Sequence, residues 1–254
     1  MIADETHPST APGLPGVHWV HEEITARGYA RTAEWDIGLP PRSWKYFQEE
    51  YFDGGQLRCD PGDRPADRER ARDVILYEWK DGELTLGEYE TIAIRDRSGI
   101  KGERIHKRIE LLADRQFREL VKIFLSLVPE DRRQQKGTFG INLFRTHTDV
   151  VTKPHRDDEE FIMIYVLDRE GEGAESYLYR HDQEDADGTK ESNPAFWEQL
   201  NSGDLLIFDD SRFKHGATPL TPPPGGRARR DVLICTVDYP TTYLRREPVS
   251  RPSA

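Results

Sequence analysis

GTFGINLFRTHTDVVTKPHRDDEEFIMIYVLD, residues 137–168, holds two apolar runs on either side of a polar connection. Thr138–Phe144 and Phe161–Leu167 are both of strand length, and both end at polar or charged residues. Downstream the pattern repeats in Ser176–Tyr179, Leu205–Phe208 and Val232–Val237, each bounded by Gly, Pro, Asp or Asn. Several short strands at such intervals predict a sandwich or jelly roll. Between them, His181–Ser192 reads as a polar, acidic loop, either a mobile lid or a disordered insertion, and PAFWEQL at 194–200 as one helical turn.

Upstream of Gly137 the signals mix. Val17–Ala30 (VHWVHEEITARGYA) has the look of a helix with Gly28 as its stop. Pro40–Pro41 marks a turn, and Ser43 is placed to cap a short helix bearing Trp44, Phe47 and Tyr51. Residues 53–72 mix Gly, Pro and charge and read as loop. Val74–Trp79 and Glu88–Ile94 read as strands about the turn KDGE at 80–83. In Ile109–Leu127 the apolar residues Leu111, Leu112, Phe117, Leu120, Val121, Phe124 and Leu127 recur at helical spacing. The expected fold is α+β: a C-terminal double-stranded β-helix (jelly roll) over about 138–240, with N-terminal helices packed on one sheet that would otherwise expose apolar residues. The expected organisation is a tail at 1–16, one domain over 17–246 and a tail at 247–254.

Composition bounds the function. The 254-residue chain is 35% hydrophobic and 33% charged, and its ten Phe, ten Tyr and five Trp supply enough core material for a globular domain. A net charge of −11 repels nucleic-acid phosphates and anionic membranes, so neither is an expected partner. It leaves room for a small anionic cosubstrate, because a pocket arginine acts locally. Two cysteines, Cys59 and Cys235, make no disulfide framework, and Cys235 within Val232–Val237 reads as a buried thiol. No stretch approaches the 18 apolar residues of a membrane span, and MIADETHPSTAPGLPG at 1–16 has no basic and apolar leader pattern, so the expected location is cytoplasmic.

HRDDEE at 155–160 and RFKHG at 212–216 carry the chemistry. In an extended strand His155 and Asp157, two apart, point to the same side and can grip one ion. His215 follows the strand GDLLIFDD (203–210), sixty residues after His155, at a return distance suited to a later strand of the same roll. Two imidazoles and one carboxylate on one face of an octahedral ion leave three positions open, the arrangement of non-haem iron(II) oxygenases; zinc hydrolases need only one. Arg230 opens the last strand after the loop PPPGGRA at 222–228, and pointing inward it offers a planar fork to a carboxylate. Arg229 reads as a solvated loop charge. His7, His18, His21, His106 and His181 read as tail, loop or surface residues, and His147 as a pocket group near the site.

These stretches, HRDDE followed by an apolar strand, GDLLIF, HGATPL and RRDVLICTVDY, resemble the small bacterial 2-oxoglutarate/iron(II) dioxygenases, and among them those that hydroxylate free L-amino acids, of the L-isoleucine hydroxylase type. The resemblance covers roughly 138–240. It implies Fe(II) on His155, Asp157 and His215, 2-oxoglutarate on Arg230, and O2 as second cosubstrate. It implies that 2-oxoglutarate becomes succinate and carbon dioxide while an unactivated C–H bond is oxidised, hydroxylation being the default and desaturation or ring closure the variants. Where those relatives carry His-Gln-x-Arg before the HxD motif, this chain has Asn142-Leu143-Phe144-Arg145, and it has Gly173-Ala174 for a Gly-Gly pair. The substrate is then expected to be a small amino acid or a derivative of one, with Arg145, if it faces inward, on a carboxylate and Asp158 or Glu159 on an ammonium or guanidinium.

Three other readings fit the same residues. One is a zinc or manganese isomerase or hydrolase on a jelly roll. Another is a jelly-roll module that binds a ligand without turnover. The third is the same oxidation on a peptide or carrier-bound residue.

Overall fold

The computed structural model describes residues 16–59, 68–89, 93–95, 103–105, 109–147, 153–157 and 159–237. In chain order the helices are α1 (Val17–Arg27), α2 (Ser43–Phe47, continued by a π-helical turn over Gln48–Phe52) and α3 (Arg115–Ser126). The strands are β1 (Tyr29–Ala33), β2 (Arg58–Cys59), β3 (Glu69–Lys80), β4 (Glu83–Glu88), β5 (Ala93–Arg95), β6 (Glu103–Ile105), β7 (Lys136–Thr146) and β8 (Phe161–Glu170), then β9 (Glu172–Gly173), β10 (Ser176–Arg180), β11 (Phe196–Glu198), β12 (Asp204–Asp209), β13 (Phe213–Ala217), β14 (Leu220–Thr221) and β15 (Arg229–Val237).

The main sheet runs β1-β12-β8-β15-β7-β3-β2, with β4 beside β3, and a three-stranded sheet β11-β10-β13 faces it. Every strand pair among the described residues is antiparallel. This is the α+β jelly roll expected. It also has an interleaving that the sequence did not show: β1, from the N-terminal part, pairs along its whole length with β12.

The central strands are apolar on both faces because both faces are covered. Phe139, Ile141 and Leu143 of β7, Phe161, Met163, Tyr165 and Leu167 of β8, and Leu233, Cys235 and Val237 of β15 pack into the larger core with the helices. The residues between them, Ile162, Ile164 and Val166, with Leu206, Phe208 and Val232, pack toward the small sheet with Leu178, Phe196 and Phe213. Alternation along each strand assigns these two faces.

α3 lies on the first face. Phe117, Leu120, Val121 and Phe124 recur every three or four residues and are fully buried, with Phe124 edge-on to Tyr165 and Phe117 edge-on to Phe47. Asp114 starts it, its carboxylate accepting from the Gln116 N–H at 2.7 Å and from the hydroxyls of Tyr46 and Tyr51. The expected helix over 109–127 therefore starts later, after a 3-10 turn at Leu111–Ala113.

Other expectations shift as well. Gly28 ends α1 in the left-handed region (φ 86°), as its place predicted. The turn at Asp81–Gly82 has positive φ at both residues, which suits a tight hairpin, and β3 extends back to Glu69 beyond the expected start at Val74. Ser43 does not cap α2: Arg42 holds that position, and the Ser43 hydroxyl donates to the Pro40 carbonyl at 2.7 Å. The 194–200 segment is strand, because Phe196–Glu198 pairs with Ser176–Leu178 of β10. The 181–192 loop does not cover the space between the sheets. It seats on the outer face of the small sheet, where the Tyr179 hydroxyl donates to the Thr189 carbonyl, and Asp187 ties Thr189 and Ser192. Among the described residues no helix is long and apolar enough to cross a membrane.

Candidate metal centre

His215 sits in β13 directly opposite His155. The two residues exchange backbone hydrogen bonds, His215 N–H to the His155 carbonyl at 2.8 Å and His155 N–H to the His215 carbonyl at 3.2 Å. This bridge brings together positions sixty apart, and the ring centroids stand 4.5 Å apart. Asp157 is not on a strand with His155, as the two-residue spacing had suggested. Only His155 makes a bridge, and residues 156 and 157 lie in the connection leading to β8. The Asp157 carboxylate nevertheless reaches both rings, with Oδ1 3.8 Å from His155 Nε2 and Oδ2 3.6 Å from His215 Nε2. One donor atom from each of the three residues lies within 4.8 Å of the others.

The second nitrogen of each ring decides which one faces the carboxylate. His155 Nδ1 stands 3.0 Å from the Lys153 carbonyl, which can only accept, so Nδ1 carries the proton and Nε2 presents a lone pair. His215 Nδ1 faces Asp210 Oδ1 at 3.6 Å. Both atoms are buried and have no hydrogen-bond partner among the described residues, and they face each other across a gap slightly too long for a hydrogen bond. Burial, with His215 next to it, lowers the His155 pKa, which favours the neutral imidazole a metal requires. The Nε2 atoms of His155 and His215 with the Asp157 carboxylate between them are a donor set that would hold a divalent iron.

Asp210 was not singled out in the sequence, yet it organises the site. It is fully buried at the end of β12. Its Oδ2 accepts from the backbone N–H of Asp157 and of Glu159, each at 3.1 Å, and its carbonyl accepts from the Arg156 guanidinium at 2.8 Å. The doublet Asp209-Asp210 closing an apolar strand five residues before His215 was the available signal.

Arg230 lies on the face of β15 that looks into the space between the sheets, alternating with Asp231 on the helix-covered face. Its Nη2 donates to the Ser176 hydroxyl of β10 at 2.9 Å, and its buried Nε has no partner among the described residues. Ser176 stands opposite Ala217, and Leu178 opposite His215. The guanidinium thus sits about two residues along β13 from His215, roughly 7 Å of strand. A short-chain dicarboxylate spans that interval. Burial, then the charge of Arg169, lowers the Arg230 pKa to about 10, and Arg230 stays cationic at neutral pH.

Arg145 requires a correction. Its guanidinium donates twice to the fully buried Asp231 carboxylate, each at 2.8 Å, approaches Asp53 and Glu69, and lies over the Phe52 ring. These partners belong to the helix-covered face, so Arg145 points away from His215 and is already committed. Arg229 is not a solvated loop charge either: it lies within β15 and pairs with Asp168. His147 is outside the triad, with Nδ1 on the Ala228 carbonyl at 3.2 Å. Glu159 is buried beside Asp157 through its bond to Asp210, and Asp158 lies outside the described residues.

Residues 94–236, more than half of the chain, match the model of a family described as 2OG-Fe dioxygenase. No curated protein matches the sequence. Among solved structures, the chain is similar to a bsmA homolog from Methylobium petroleophilum PM1, with a TM-score of 0.71 and 18% identity over 92% of this chain and 97% of that one. It is also similar to IDO from Bacillus thuringiensis, with a TM-score of 0.62 and 14% identity over 88% and 99% of the two chains. A third is the Fe(II)/(alpha)ketoglutarate-dependent dioxygenase TqaL, with a TM-score of 0.63 and 14% identity over 91% and 88%. At these identities the likeness is one of fold.

Proposed function

The chain belongs to the 2OG-Fe dioxygenase family, enzymes that use Fe(II), 2-oxoglutarate and O2, and on that premise we propose that it oxidises an unactivated C–H bond of a small amino acid or amino-acid derivative, by hydroxylation. We assign the iron to His155, Asp157 and His215, and the distal carboxylate of 2-oxoglutarate to Arg230 with Ser176. We also take 17–246 to work as one oxygenase unit, since β1 is a strand of the sheet that carries Arg230.

The observation that carries the reading is the pairing of a His-Asp-His cluster with a half-buried guanidinium of the main sheet, which meets the small sheet at Ser176, two residues along from the level of His215. The cluster leaves positions open for a 2-oxo acid and dioxygen. The guanidinium fixes the acid's far end and so its orientation at the cluster. Bound there, iron(II) with its cosubstrates supplies the oxidising chemistry, and 2-oxoglutarate leaves as succinate and carbon dioxide. The chain's own residues bind, orient and keep water out. Ile162, Ile164, Val166, Leu206 and Phe208 line the face of the main sheet toward the site, and Phe208 packs against the His215 ring at 5.1 Å. Arg145 no longer supports a substrate carboxylate there, while the place of Glu159, buried next to the cluster, still favours a cationic group on the substrate.

The test has two parts. Anaerobic addition of iron(II) and 2-oxoglutarate to the purified protein should give a weak visible charge-transfer band, which a zinc hydrolase would lack. An amino-acid panel, read by succinate formation and by mass spectrometry for a gain of one oxygen or a loss of two hydrogens, then names the substrate. A protein that shows neither the band nor succinate is not this enzyme.

A further inference from the structure

β8 and β15 run side by side in regular antiparallel register from Val237↔Phe161 up to Val232↔Val166. The next pair is Asp231↔Asp168, so Leu167 is an extra residue on β8. Leu167 packs on the helix-covered face, and so does Asp168, which pairs with Arg229. Without the bulge, alternation would put Arg169 on that face too. With it, Arg169 turns to the interior face and stands directly opposite Arg230.

Two guanidinium groups thus share one edge of the space between the sheets. Directly opposed like charges destabilise a sheet. Arg169 depresses the Arg230 pKa, and among the described residues no carboxylate offsets it. Each side chain has one anchoring bond, Arg230 Nη2 to Ser176 Oγ at 2.9 Å and Arg169 Nη1 to the Gly171 carbonyl at 2.6 Å. Among the described residues, neither buried Nε–H has an acceptor. One carboxylate has acceptor sites enough for two forks.

We propose that Arg169 and Arg230 form a two-guanidinium seat for the distal carboxylate of the 2-oxo acid, and that Arg169 is the residue that makes the site selective for a dicarboxylate cosubstrate. This rests on the assignment of Arg230 made above. A single guanidinium suffices to hold a carboxylate; a facing pair goes further, penalising any 2-oxo acid that leaves the pair uncompensated. The site should therefore reject 2-oxobutyrate more strongly than one arginine would.

The experiment compares Arg169→Met and Arg230→Met with the wild-type chain loaded with redox-inert manganese(II). Calorimetric titration with 2-oxoglutarate and with 2-oxobutyrate gives affinities, and thermal melts without 2-oxo acid give stability. Arg169→Met is expected to weaken 2-oxoglutarate about tenfold or more, leave 2-oxobutyrate unchanged or improved, and raise the melting temperature of the unliganded protein by removing a like charge. A residue with a merely structural role would lower that temperature. If the methionine variant does not fold, Arg169→Lys, a point charge without the fork, should still lose several-fold in 2-oxoglutarate affinity. Wild-type affinity in either folded variant overturns the proposal, while loss in Arg230→Met alone leaves the functional reading standing. Unchanged 2-oxoglutarate affinity in both methionine variants removes Arg230 as well. Loss of succinate formation with unchanged 2-oxoglutarate binding in Arg169→Met also overturns the seat, by giving Arg169 to the substrate instead.

Discussion

Asp210 should control metal affinity without touching the metal, and two substitutions separate its roles. Its Oδ2 holds the backbone N–H of Asp157 and Glu159, and its Oδ1 faces His215 Nδ1. Asp210→Ala orphans both backbone donors in a buried position, at about 1–3 kcal/mol each, so roughly 2–6 kcal/mol of stability is lost and the loop carrying Asp157 comes loose. Asp210→Asn behaves differently. The two N–H donors require the amide oxygen where Oδ2 was, which puts the NH2 against His215 Nδ1. An NH2 can only donate, so it selects the tautomer in which Nδ1 is the acceptor and Nε2 carries the proton. That tautomer cannot ligate through Nε2. Stability should fall by about 1 kcal/mol or less, the scale of one neutral hydrogen bond exchanged for another. Metal affinity should fall about 10- to 100-fold, the usual effect of losing the partner behind a ligating histidine. Urea unfolding of the metal-free protein gives the first number and calorimetric titration with manganese(II) the second. Wild-type manganese affinity in Asp210→Asn would show that Asp210 does not set the His215 tautomer.

His155→Ala, Asp157→Ala or His215→Ala should each abolish succinate production, and any one that retains it in a coupled assay is not a ligand. Arg145→Met should cost about 3 kcal/mol in urea unfolding, the low end for a broken buried pair because Gln48 and Arg229 remain near Asp231; substrate affinity in the folded protein should not change, and a large rise in substrate KM would put Arg145 back in the pocket. Asp114→Ala should cost about 1–2 kcal/mol through the lost α3 cap, with further loss from two hydroxyls left without their acceptor. Burial and then the Asp114 carboxylate raise the Tyr46 pKa to about 12, and that of Tyr51 higher still. A phenol whose folded pKa is raised stabilises the fold fully below its unfolded value near 10, and that contribution disappears as pH rises through 12. Stability to urea should therefore fall above about pH 10, less steeply in Tyr46→Phe, and an unchanged slope in that variant would refute the assignment.

The parts of the fold that could be read from residues are those whose pattern has one cause. Short apolar runs between turn residues gave the strands of the roll, because a run that is apolar on both sides needs cover on both, and Phe117, Leu120, Val121 and Phe124 gave a helix to supply one cover. The triad was legible as a set of donors, though the stated reason, one extended strand carrying His155 and Asp157, was not the geometry found. A backbone bridge joins the two histidines, and a buried carboxylate holds Asp157 in place. What could not be read were the side-chain directions near strand ends. Arg145, Arg169, Arg229 and Arg230 are four charges at the ends of three neighbouring strands, and nothing in their spacing tells inward from outward. A single extra residue at Leu167 decides it for β8, turning Asp168 toward Arg229 and Arg169 toward Arg230. Asp231 decides it for β7, where its fully buried carboxylate takes the Arg145 fork on the helix side. Charge pairing on the helix-covered face takes up Arg145 and Arg229, while Arg169 and Arg230 stand opposite each other on the face toward the small sheet. The −11 net charge of the chain gives no hint of this separation.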